Sequence, residues 1–146
     1  MMMHTLIVDQ ETFGITGKSL KMLRDSIMKN FDDEILVIEV PTEQILCGFL
    51  VLNKTTGTAY WSGDGFTVDK CGEGGRGYQT AKKMLDLFGI RWLNTFDVEA
   101  CIRFGQALEI REEINMHKAL LSAINEIERE FTDDDYKIVS KSNPLY

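Results

Sequence analysis

Cysteine, histidine and proline are all scarce in this chain. Its cysteines, Cys47, Cys71 and Cys101, are odd in number, widely spaced and form no C-x-x-C pair, which supports neither a disulfide framework nor a structural zinc site. They read as reduced thiols, and no metal is expected. Only His4 and His117 are available for a Cys-His or Ser-His pair. His4 lies in an end expected to fray, and His117 falls on an apolar stripe, where a core or boundary histidine is the ordinary reading. Long apolar runs are missing too. Ile35 to Ile38 and Gly48 to Leu52 fall far short of the about 20 residues that span a bilayer, and the start Met1 to Asp9 has no basic end before a signal core. A soluble, cytosolic protein without a membrane partner is expected. Basic residues are outnumbered, 16 Lys and Arg against 23 Asp and Glu, for a net charge of −7. That balance argues against a duplex nucleic-acid binder held by phosphate neutralisation.

What is present suits one compact domain over residues 1–146. The 146 residues are 44% hydrophobic and 27% charged, and a chain of this length buries roughly two thirds of its unfolded surface without a staple. Thr5 to Asp9 is a short β-prone run. Thr16 to Phe31 repeats apolar residues at Leu20, Leu23, Ile27 and Phe31, a helical spacing with Thr16 as N-cap. Ile35 to Val40 and Ile45 to Leu52 read as strands, and Asn53 to Gly57 turns the chain into a hairpin with Thr58 to Trp61. A helix carries Tyr78, Ala81, Leu85 and Phe88 and ends at Gly89. Ile90 to Phe96 reads as a strand, with Thr95 or Asp97 capping the next helix. The last long helix carries Ile110, Ile114, His117, Leu121, Ile124, Ile127 and Phe131 on its stripe, and a strand-like piece lies at Tyr136 to Val139. The pattern predicts an α+β fold: a central, mostly antiparallel sheet flanked by helices, closing in a long C-terminal helix.

The most informative segment is Ser62 to Gly77, which holds six of the 12 glycines. Successive main-chain N–H groups converge on an anion only where side chains leave the approach clear. A helix starting at about Arg76 would add its positive dipole end. Lys70, Arg76, Lys82 and Lys83 supply a local excess of base. A loop over Gly72 to Gly77 that binds a phosphorylated small molecule is one expectation. A tight connection in which glycine serves close packing alone is the other. Tyr60, Trp61, Phe66 and Tyr78 surround the segment and serve either the core or a binding surface.

Cys47 to Leu108 resembles the central part of a GNAT acetyltransferase. The matching residues are Gly48 to Leu52 ahead of the hairpin turn, Val68-Asp69, Gly74-Gly75-Arg76-Gly77-Tyr78-Gln79-Thr80-Ala81, Gly89 to Leu93, and Ala100 to Phe104. The family's turn, Q/R-x-x-G-x-G/A, would run from Gly74 to Gln79, with Gly77 on the middle glycine. The resemblance implies a GNAT-like core and acyl-CoA as cofactor, held by Gly72, Gly74, Gly75, Arg76, Gly77, Thr80 and Lys82, with or without N-acetyl transfer. Transfer would need a base and a proton donor, for which Asp64, Glu73 and Tyr78 are the candidates. Asp64 and Glu73 each also read as plain turn residues.

Two further patterns compete. Thr12 to Ser19 ends in Gly17-Lys18-Ser19 like a phosphate loop but has Thr12 where the first glycine belongs, so an ordinary helix start is the better reading. Glu109 to Asp135 holds nine acids against three bases. It is either a solvated face or the docking surface of a non-catalytic acidic interaction protein, an inhibitor or nucleic-acid mimic of the kind a phage or other mobile element encodes. Its partner would be a basic protein surface.

Overall fold

The computed structural model describes residues 4–43, 45–69 and 72–131. Lys70, Cys71 and the Tyr136 to Val139 piece lie outside them. The centre is the antiparallel pair β2 (Ile35–Pro41) and β3 (Leu46–Asn53), in register with Val37 opposite Val51. β4 (Thr58–Trp61) returns beside β3 through a turn that Asn53 organises. Its side-chain oxygen accepts the N–H groups of Thr55 and Thr56 at 2.9 and 3.0 Å, and Gly57 takes the left-handed conformation at φ 82°, an Asx-type turn. β1 (Thr5–Val8) runs parallel to β4 at one edge, and β6 (Trp92–Asn94) runs parallel to β2 at the other. The short β5 (Phe66–Thr67) pairs antiparallel with the start of β3. The sheet is therefore mixed, in the order β1-β4-β3-β2-β6.

Helices cover both faces. α1 (Thr16–Lys29) and α2 (Gly72–Leu87) lie on one side, α3 (Glu99–Ile110) and α4 (Glu113–Glu130) on the other. β2 shows why. Its alternate side chains Ile35 and Val37 join Leu23, Ile27, Phe49, Tyr78 and Leu85 in one core, while Leu36, Ile38 and Val40 join Trp61, Phe104, Leu108, Leu120 and Ile124 in the second. A strand buried on both faces carries no polar alternation. The result is the α+β fold with a C-terminal helix that the pattern predicts.

Helix limits depart from expectation in instructive ways. Thr16 gives α1 no side-chain cap, because its hydroxyl donates instead to the Gly65 carbonyl at 2.6 Å. Gly89, at φ 67°, ends α2 as expected: its N–H meets the Asp86 carbonyl at 3.0 Å and the Ile90 N–H meets Leu85 at 2.9 Å, a Schellman closure. Val98, not Thr95 or Asp97, is the residue before α3, and the Thr95 hydroxyl donates to the Glu39 carbonyl at 2.6 Å. Arg111, at φ 61°, breaks α3 from α4. The buried stripe of α4 runs through Met116, Leu120, Ala123, Ile124 and Ile127, leaving Ile110, Ile114 and His117 exposed. His117 is thus a surface residue.

Candidate functional site

The Gly72 to Gly77 part of the glycine-rich segment is helical. Gly72 to Gly77 form the opening turns of α2, which starts four residues before the expected Arg76. From Arg76 onward each helical N–H bonds the carbonyl four residues back, so the Gly77 amide is used inside the helix. The glycines serve approach of the helix to its neighbours. A Cβ on Gly77 would overlap Thr16 Cγ2, and one on Gly74 would lie 2.9 Å from Thr67 Cγ2. Gly75 is buried. Glu73 and Arg76 are exposed, and Thr80 returns its hydroxyl to the Arg76 carbonyl at 2.9 Å.

Tyr78 and Lys82, one turn apart on α2, do come together, and on a residue that sequence reasoning passed over. Glu39, in the middle of β2, is completely buried. Its Oε2 accepts from the Tyr78 hydroxyl at 2.8 Å and from Asn94 Nδ2 at 3.2 Å, and its Oε1 forms an ion pair with Lys82. The ammonium lies 3.9 Å from the centroid of the Trp92 ring and 4.7 Å from that of Tyr78, a cation between two aromatic faces. Burial pushes the Glu39 carboxyl above its usual range, and Lys82, Tyr78 and Asn94 pull it back. The available signal was one charge inside the apolar run Ile35 to Val40. Burial also raises the nearby Cys47 thiol, with the Glu39 carboxylate adding to it. Cys47 and Cys101 are buried free thiols, and burial pushes Cys101 up to about 11.

Asp64 is placed elsewhere. It is buried between β4 and β5, where its Oδ1 accepts the Gly14 N–H at 2.7 Å. Beside it stands Glu109, from the end of α3, whose Oε1 is buried without a hydrogen-bond partner. Desolvation first, and then the hydrogen bond to Asp64 and its charge, push Glu109 up to about 7, with Glu43 adding and Arg111 opposing. Asp64, Glu73 and Tyr78 therefore occupy three separate settings: a buried turn, an exposed helix start and a buried ion-pair cluster.

The phosphate-loop lookalike from Thr12 to Ser19 is likewise internal, since Ser19 donates to the Thr12 carbonyl at 2.9 Å and accepts the Gly65 N–H at 3.1 Å. The four aromatics divide. Phe66 and Tyr78 flank Phe49 at 5.3 and 6.2 Å, whereas Trp61 meets Phe104 at 6.3 Å on the opposite face. At the far end of α4, Glu126 and Glu130 lie one turn apart with Asp97 nearby. The Glu130 carboxyl is raised, first by its hydrogen bond to Glu126, and Arg129 pairs with Glu126. Among the described residues, no group of three or more His, Cys, Asp or Glu could hold a metal, and no helix is long and apolar enough to cross a membrane. Comparison of the chain with protein-family models, curated proteins and solved structures finds no match.

Proposed function

We propose that this chain is an interaction protein that docks the acidic end of α4 on a basic protein surface, of the kind that otherwise holds nucleic acid. The observation that carries the reading is the run of acids at the end of α4, where exposed Glu128 and Glu130 follow Glu126 within about one turn, with Asp97 near Glu130. Like charges one helical turn apart oppose folding, and a cationic partner would offset that repulsion while drawing speed and specificity from it. Asp64 and Tyr78 are both held in internal hydrogen bonds, which leaves the acid–base candidates without a common centre. The test is affinity capture from a lysate of the source cells. Captured protein should be released by added duplex DNA and by salt, and should be lost with the variant E126K/E128K/E130K. Capture that survives the charge reversal removes the reading.

A second reading rests on the first turn of α2. Gly72 has open space around it, and the exposed Arg76 follows one turn on. A phosphorylated ligand would fit such an end, acyl-CoA being the one that the GNAT resemblance implies. Thermal-shift titration with acetyl-CoA, ATP and inorganic phosphate decides it, since a ligand of the folded form stabilises by mass action. No shift with any of the three rejects it.

A further inference from the structure

A groove lies between the outer edge of β1 and the first turns of α4, with a cavity volume of about 680 Å³. Among the described residues, β1 pairs with β4 on one side only. The Thr5 N–H bonds the Gly57 carbonyl at 3.2 Å, with Thr5 in register with Thr58. In a parallel ladder the residues that bond the neighbour alternate with residues whose N–H and C=O face away. Thr5 and Ile7 therefore bond β4, and Leu6 and Val8 turn two N–H and two C=O groups towards the groove. Such an edge is a template for another strand.

The groove's lining has a definite character. Leu6 and Val8 supply an apolar wall, and both histidines of the chain, His4 and His117, line it together with Arg111 and Lys118. Glu113 is the one acid among the described lining residues. In a protein of net charge −7 this is a local concentration of cationic and imidazole groups beside an open strand edge.

We infer that this groove binds an extended acidic segment of a partner protein, which adds as a strand beside β1 and sets its carboxylates against Arg111, Lys118 and the two histidines. Main-chain bonds to Leu6 and Val8 supply affinity, and the charged rim selects sequence. The surface is distinct from the acidic end of α4, and its partner has the opposite charge.

The experiment measures binding of a labelled peptide of alternating Glu and Val, its Lys and Val counterpart, and a Glu and Val peptide N-methylated at alternate residues. The Glu and Val peptide should bind at least about tenfold more tightly than either control. It should shift the amide resonances of Leu6 and Val8. H117E/K118E, at two exposed helical positions, should weaken it by a similar factor, whereas E126K/E128K/E130K should leave it intact. Absence of binding up to about 1 mM, equal binding of the Lys and Val or N-methylated peptide, or unchanged binding to H117E/K118E overturns the inference. So does self-association in sedimentation that protects the same β1 amides, since the occupant would then be a second copy.

Discussion

Lys82 and Glu39 form an ion pair across the interface between α2 and β2, with the lysine ammonium 3.9 Å above the Trp92 ring. Glu39 is fully buried and the Lys82 side chain is 12% exposed, so the carboxylate depends on the lysine, Tyr78 and Asn94 in place of water. Removing one member of such a pair strands the other charge. Lys82→Met should lower stability by about 3–5 kcal/mol, read from the urea midpoint. E39L/K82M, which removes both charges, should recover most of that loss. A small effect of the single change would mean that water reaches Glu39.

Glu109, beside Asp64, sets a pH dependence with a definite sign. Glu109 holds its proton up to about 7 in the folded chain but releases it near the ordinary carboxylate value when unfolded. The native state therefore binds more protons across that window, and stability falls as pH rises through it, the loss being complete above about 7. Glu109→Gln cannot titrate and should flatten that limb of a plot of thermal midpoint against pH. A slope unchanged by the substitution would assign it to another group.

Gly77 and Gly17 should respond oppositely to the same substitution. Alanine at Gly77 meets Thr16 Cγ2, and Thr16 is held by its bond to Gly65, so G77A should cost about 1–3 kcal/mol despite the better helix former. T16S removes the obstructing methyl and keeps the hydroxyl, and T16S/G77A should restore stability. Gly17 has open space around it, and G17A should stabilise by about 0.4–1 kcal/mol. Urea melts of the four variants provide the comparison.

Gly105 presents a harder obstacle. A Cβ there would run into the Pro41 carbonyl at the end of β2, and backbone cannot swing aside as a side chain can. Gly105→Ala should cost about 3 kcal/mol or more, with loss of near-ultraviolet dichroism from Trp61, which packs on Phe104. A native-like melt would show that α3 can shift away from β2.

Much of the architecture was legible from periodicity. The strand Thr58–Trp61 and the start of α1 at Thr16 fall where the sequence places them, and β2 and β3 differ by a residue at their ends. The start of α2 was placed too late because glycine's poor helix propensity is overridden by contacts distant in sequence, while the close-packing alternative for these glycines matches the approach of Gly77 to Thr16 and of Gly74 to Thr67. The stripe of α4 was misplaced because Ile110 and Ile114 fit its period, yet the break at Arg111 resets the phase. Tyr78 and Lys82 were found as candidates, but Glu39 was not, since its partners lie 39 and 55 residues away at Tyr78 and Asn94. No local pattern records such a meeting.

Glu39 also determines how the central hairpin can be threaded. Adjacent residues of β2 face opposite cores, so sliding the strand by one position would turn the carboxylate from Lys82 towards the oily side filled by Phe104 and Leu108. There it would find no cation to meet it. A single acidic residue thus acts as an alignment key, raising the energy of misthreaded sheets that hydrophobic pattern alone, apolar on both sides, would leave nearly as good as the native one.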